Sequence, residues 1–331
     1  MLTIAFAGDV MLGRGVDEAL QSMRPEEPWG DLLPHLAEVD LRIVNLECAL
    51  TTHRQPWAHG RRKMFHFRAA PSAVHVLQAA RIDACSLANN HILDFEEQGL
   101  RDTLRTLTVA GIQHAGAGVD ADDAARPALV EACGKHPRLV GLLAFTDNEP
   151  DFAAQANRPG TNYLEVSLAE DALDRVQAGI AHARAMGAEL VIFSNHWGAN
   201  FIERPSPYFR NFAKRVIELG ADIYYGHSAH ICQGIEIHQG KPILYDTGDF
   251  IDDYAIDPIL RNDRSCLFKL VFEATRLQRI ELLPVSLSMA QVRLAQGEEC
   301  EAILARMTEL SAEFGTLFSR KENKLIHEIQ R

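Results

Sequence analysis

The chain has 331 residues, 47% hydrophobic and 24% charged. That balance excludes a disordered or fibrous protein and leaves room for one large domain or two ordinary ones. Its formal net charge of −12 gives no electrostatic footprint for nucleic acid or anionic lipid.

Met1 runs directly into a strand pattern, and no apolar run nears the roughly 20 residues a spanning helix needs. The expectation is a soluble, cytoplasmic protein without signal peptide or membrane anchor. The first strand, LTIAFA, stops at Gly8-Asp9, with Gly13-Arg14 close behind. The next, LRIVNL, ends on Asn45 and Glu47. Thr52 to Arg68 is polar and aperiodic, the composition of a long binding loop or lid. A helix is predicted over Pro71–Ile82, with proline at its start. The strand DACSLA then runs into Asn89, Asn90 and His91, with Asp94 following.

EEQGLRDTLRTLTVAG reads as a helix ending at Gly111. LVGLLAF and ELVIFS read as strands, the second ending at Asn195 and His196. Helices are predicted over Ala169–Ala188 and Ser206–Ala221. DIYY leads into His227 and His230, and PILYDTG into Asp246 and Asp249. CLFKLVFE and RIELLPVSL form a late hairpin or sheet edge, and the charged tail from Gly297 to Arg331 has a helical pattern. No repeat or linker divides the chain. Residues 1–264 carry the chemistry, and 265–331 are expected to pack on the same domain. The alternation of strand and helix makes the class α/β. The six scattered cysteines (Cys48, Cys85, Cys133, Cys232, Cys266, Cys300) contain no CxxC pair. They read as reduced thiols.

Taken singly, a histidine past a strand is a surface residue, and Asn or Asp there makes a turn. Six apolar runs, however, end in acidic, amide or imidazole groups. In open α/β sheets the carboxyl ends of strands gather at one rim, where ligands bind. Carboxylate, amide and imidazole without thiolate suit a hydrolytic divalent metal: Mn, Fe or Zn, with Mg and Ca as the harder candidates.

The segments GDVMLGR, NLE, FHFRA, LANNH with Asp94, NHWG, GHSAH and YDTGDF together resemble CapA-type proteins. These are associated with poly-γ-glutamate capsule synthesis and fall within the calcineurin-like metallophosphoesterase superfamily. The resemblance covers roughly Leu2 to Tyr254. It implies a four-layer α/β/β/α sandwich with one or two metals at the C-terminal ends of the strands. It also implies metal ligands at Asp9, Glu47, Asn90, His196, His227 and His230, with Glu47 where many members place a bridging aspartate. His91 matches the non-ligand histidine that protonates a leaving group, and Asp94 is the partner that orients it. Asn45 and Asp249 are ligands or partners of ligands. Met11 stands where most of the superfamily has a histidine, and GHSAH replaces the usual His-x-His; CapA-like sequences share both departures. Asp249 replaces the asparagine of the subfamily's Gly-Asn-Phe.

Arg14 either meets an anionic substrate as part of the catalytic set or makes a salt bridge to a nearby acid. Arg68, Lys63 and His66 are the substrate-binding candidates of the basic loop, while Arg61 and Arg62 read as solvated. The resulting expectation is a metal-dependent hydrolase using a metal-activated water on an anionic small molecule or γ-glutamyl substrate. The alternatives are a factor acting on γ-glutamyl amide bonds and a non-catalytic metal-binding scaffold of a synthase. The sequence leaves the oligomeric state open.

Overall fold

The computed structural model describes residues 1–132 and 137–329; Cys133 lies outside them. In chain order the main elements begin with β1 (Leu2–Val10), β2 (Leu41–Leu46), β3 (Ala84–Ser86), α1 (Glu96–Val109) and β4 (Gln113–Ala115). Next come β5 (Ala128–Ala132), β6 (Arg138–Thr146), α2 (Glu170–Ala185), β7 (Leu190–His196), α3 (Pro207–Glu218) and β8 (Ile223–His227). The chain continues through β9 (Ile235–His238), β10 (Lys241–Leu244), β11 (Asp249–Ile251), β12 (Arg264–Glu273) and β13 (Arg276–Ser288). It closes with β14 (Gln291–Leu294), α4 (Gly297–Ala312), β15 (Ser319–Lys321) and β16 (Lys324–Glu328).

Two mixed sheets result. The first has the order β15-β16-β13-β12-β1-β2-β3-β4, with β11 beside β1 and β14 beside β13. The second has the order β9-β10-β8-β7-β6-β5. Strands β1 to β4 are mutually parallel, as are β6, β7, β8 and β10. Such strands are buried on both faces and therefore read as continuous apolar runs; β2 is buried at every position.

The layers follow from which side chains cluster. Ile4, Phe6, Ile43, Leu142, Ile192, Tyr225 and Phe268 form the core between the sheets. The outer face of the first sheet packs on Leu100, Leu104 and Leu107 of α1. The outer face of the second packs on Val176 and Ile180 of α2 and on Phe212, Val216 and Ile217 of α3. This is the expected α/β/β/α order. The spacing of those residues is helical, and α3 also has its predicted start: Pro207 opens it, and Ser206 accepts a hydrogen bond from the Phe209 amide.

The tail departs from its helical reading. It is helical only to Ala312, after which β15 and β16 form a hairpin on β13. Gly315 at φ +82° turns the chain out of the helix, and Leu325 and Ile326 supply the buried face of the strand. Lys and Glu spacing suits a helix surface and a sheet edge equally, so charge pattern alone misassigned this stretch. The five described cysteines are buried and unpaired. No helix among the described residues is long and apolar enough to cross a membrane.

Candidate metal centre

Strand register assembles the site. Asp9 near the end of β1 lies level with Asn45 on β2 and with Asp249 on β11. His196 ends β7 level with His227 at the end of β8. The approach of β11 to β1 requires glycine at position 8, where a Cβ would fall 1.7 Å from the Gly248 carbonyl oxygen. The GHSAH turn holds Ser228 and His230 at φ +116° and +60°, in the left-handed region disfavoured for side-chain-bearing residues. Asp246 supports that turn by accepting from the Ala229 and Gly248 amides, each at 2.8 Å.

Two groups of ligand atoms converge: Asp9, His196 and His227, and Asp9, Glu47, His230 and Asp249, each group spanning no more than 4.8 Å. All six residues are buried. Asp9 Oδ2, Glu47 Oε1, Asp249 Oδ2 and the Asn90 amide oxygen are buried without a hydrogen-bond donor among the described residues. Orphaned buried oxygens are costly. The three on Asp9, Glu47 and Asp249, grouped with three imidazoles, make a donor set that fits a divalent cation.

The electrostatics agree. Burial, then the neighbouring Glu47, pushes the Asp9 carboxyl well above its ordinary range; burial does the same to Asp249. His196 is held well below its usual value by burial and by His227, and burial pushes His227 down to about 3. His227 and His196 are therefore neutral, with their Nδ1 atoms 2.9 Å apart. Ser194 Oγ lies 2.8 Å from His227 Nε2, which fixes the ring and leaves Nδ1 facing Asp9 at 3.7 Å. Burial works against a charged His230, yet Asp249 at 2.8 Å, with Glu47 and Asp9, holds its pKa well above the usual value.

The structure sorts the remaining predicted residues. Asn45 orients a candidate ligand: its Nδ2 donates to Asp9 Oδ1 at 2.8 Å, and its own oxygen accepts from Asn89 Nδ2 at 3.1 Å. Asp9 is the carboxylate common to both groups, whereas the resemblance gave the bridging position to Glu47. Met11 is fully buried in the outer core, where its thioether accepts from the Gly13 amide. Asn195 turns to the outer face of its sheet and donates to the Tyr224 hydroxyl, since neighbouring residues on a strand point to opposite faces.

His91 and Asp94 meet as expected, Nδ1 to Oδ2 at 2.5 Å. Lys63 Nζ lies 2.7 Å from Asp94 Oδ1, and the Phe67 amide donates to Oδ2 at 2.7 Å. The His91 and Lys63 charges outweigh burial and lower the Asp94 pKa. Lys63 also donates to the Asn90 carbonyl, so it braces the His91–Asp94 pair while lining a cavity that His91 also lines. The Phe67 ring stacks on His91 at 3.7 Å between centroids.

A cavity of about 500 Å³ opens above His91, Asn90 and His230, walled by Phe65, Phe67, Phe201 and Tyr254. Arg14 lines it, with its Nε on Asp253 at 3.2 Å and its guanidinium over Phe65, Phe67 and Tyr254. The salt bridge to an acid is therefore present, on a guanidinium that also lines the cavity. Arg62 lines the cavity too, while Arg68 and His66 do not. Arg68 is a strand residue that donates to the Thr51 carbonyl and lies over Phe95; His66 also packs on Phe95. Sequence reasoning missed Ser194, Asp253 and Tyr254, whose hydroxyl donates to Glu47 at 3.1 Å. Only Asn89 carried a signal, as a neighbour in the NNH run.

Comparison with known proteins matches the sequence to a known family. The family model described as "Bacterial capsule synthesis protein PGA_cap" matches residues 3–254. A probable polyglutamine synthesis accessory protein of Mycobacterium tuberculosis is 33% identical, over 98% of this chain and 95% of its own. The capsule biosynthesis protein CapA of Bacillus anthracis is 25% identical, over 98% and 77%. The PGA biosynthesis protein CapA of Bacillus subtilis is 26% identical, over 88% and 73%. With its two-sheet α/β fold and a match over most of its length, the chain belongs to the PGA_cap family of bacterial capsule synthesis proteins.

Proposed function

We propose that the chain is a metal-dependent hydrolase of anionic substrates, bearing either a phosphoester or a γ-glutamyl group. The supporting observation is the set of donor-less buried oxygens of Asp9, Glu47, Asn90 and Asp249 close to a cavity lined by His91, Asn90, His230 and Arg14. Asp9, Glu47, Asn90, Asp249, His196, His227 and His230 would hold one or two cations, with imidazole favouring Mn, Fe or Zn. A bound cation supplies Lewis acidity and lowers the pKa of water at neutral pH.

The other steps fall to the chain's own side chains. Asn45 keeps Asp9 oriented. His91 presents Nε2 toward the site, 3.9 Å from Glu47 Oε1, and gives its proton to the leaving group. Asp94 holds the Nδ1 side of that ring, and Phe67 covers its face against water. Arg14, with Nε anchored on Asp253, directs its remaining N–H groups to the substrate's anionic group. The names of the relatives favour the γ-glutamyl amide as the second bond to test.

Purified protein with added Mn or Zn is to be assayed on an aryl phosphodiester and on a γ-glutamyl amide. Turnover of either, lost on chelation and in Asn90→Ala and His196→Ala, is the expected result, and the substrate turned over names the bond. Failure to bind metal overturns the reading. Bound metal with no turnover, together with capture of a synthase, replaces the enzyme with a scaffold.

A further inference from the structure

A second anomaly lies away from the metal centre. Lys269 sits in mid-strand on β12, level with Ala5 of β1 and Glu281 of β13. Its neighbours Phe268 and Leu270 face the core between the sheets, so Lys269 points to the other face. It is only 7% exposed, and lysine is almost never buried that far without a partner. The acid opposite it is already engaged. Glu281 Oε1 meets Arg279 Nε at 2.7 Å, and Oε2 meets Lys324 Nζ at 2.7 Å. Among the described residues the Lys269 side chain makes no ion pair and no hydrogen bond.

Its ammonium opens on a cavity of about 580 Å³. Leu283, Pro284, Leu294 and Ala295 make one side apolar, and Lys324 and His35 add further basic groups. Gln296 and Gly297, at the start of α4, reach the same cavity, and that helix end has no side-chain cap. A helix of 16 residues ends there in partial positive charge. The acids facing Lys269 are the engaged Glu281 and the exposed Glu38 and Glu322.

We propose that this cavity binds a small organic anion, carrying a carboxylate or phosphate that pairs with the Lys269 ammonium. Burial lowers the Lys269 pKa, and an anion in the cavity offsets that cost. The apolar side favours an organic body over a bare inorganic ion. The site is distinct from the metal centre: Ala5 and Asp9 are separated by roughly 13 Å of strand. The inference does not depend on the hydrolase reading.

The test is calorimetric titration of the full-length, chelator-treated protein with inorganic phosphate and with citrate. Binding of at least one probe is expected. Lys269→Met, which keeps the apolar stem, is expected to weaken it by about tenfold or more, and Asp9→Asn to leave it unchanged. Leu294→Trp, which fills the cavity without touching Lys269, is expected to block binding and serves if Lys269→Met does not fold. The proposal is overturned if neither probe binds the unmodified chain. It is also overturned if binding survives both cavity variants or is lost in Asp9→Asn.

Discussion

The two sheets furnish the metal centre with different chemistry. The first presents oxygen (Asp9, Glu47 and Asp249) and the second presents nitrogen (His196 and His227). Burial acts on both halves but in opposite senses, raising the carboxyls and lowering the imidazoles. For the second sheet the result is a neutral donor pair already in ligand form at neutral pH. For the first, Asp9 and Asp249 are the acids whose charged form burial penalises unless positive charge is supplied. His230, on the loop that follows β8, is the exception that links them: a histidine from the second sheet's side, kept charged by the first sheet's carboxylates. On the proposed function, the oxygen half would supply the demand for a cation and the nitrogen half would bias its identity.

The strongest way to break this comparison is Asp9→Asn, because Asp9 belongs to both groups. Mn or Zn affinity is expected to fall by more than about 100-fold, beyond the loss seen when a ligand merely loses its supporting hydrogen bond. Circular dichroism should show the chelated variant still folded, since a costly buried acid has been removed. Next, His196→Ala and Asp249→Ala remove one donor from opposite sheets. If two metals bind, each variant is expected to keep about half the metal by elemental analysis. If both lose all of it, the centre is mononuclear.

Ser194→Ala tests the nitrogen half alone. With Nε2 of His227 unsupported, metal affinity should weaken by about tenfold.

A pH profile sharpens the oxygen half. Burial pushes Asp246 up to about 7, above its ordinary value. The folded state therefore binds a proton that the unfolded chain has already released, and stability falls as pH rises from about 4 to about 7. Denaturant titration of chelated protein should show this as a contribution of about 1.4 kcal/mol per pH unit in that window, absent in Asp246→Asn. The smallest effect belongs to Arg68→Gln, expected to leave KM within about twofold because that guanidinium faces Thr51 and Phe95. A large rise in KM would mean that the basic loop rearranges around substrate.

Much of this was legible from the chain. Buried parallel strands must be apolar throughout, so β1, β2, β6 and β7 announce themselves, and the polar groups that stop them mark the rim. The resemblance paired Asp94 with His91, three positions earlier in the chain, and one turn brings the two together. The less legible parts involve choices between equivalent residues. Arg62 and Arg68 share a basic loop, and only the short ladder between Ala49–Leu50 and Arg68–Ala69 turns one away and leaves the other over the cavity. Lys63 could be placed on the basic loop, but its pairing with Asp94, with the side chain only 6% exposed, had no local signal. The tail misled because its charges satisfy a helix and a sheet edge alike.

By itself, then, the sequence determined the elements, their alternation and the polar inventory at the strand ends, because these depend on local periodicity and on where apolar runs stop. Only the tertiary structure decided which atoms meet. Asp249 reaches Asp9 through the pairing of β11 with β1, and His227 reaches His196 through the register of β8 on β7. The shared role of Asp9, the supporting role of Asn45 and the unpaired Lys269 all depend on contacts between residues far apart in the chain. Such contacts follow from strand pairing within each sheet and from the meeting of the two sheets at the site, and no local pattern encodes them.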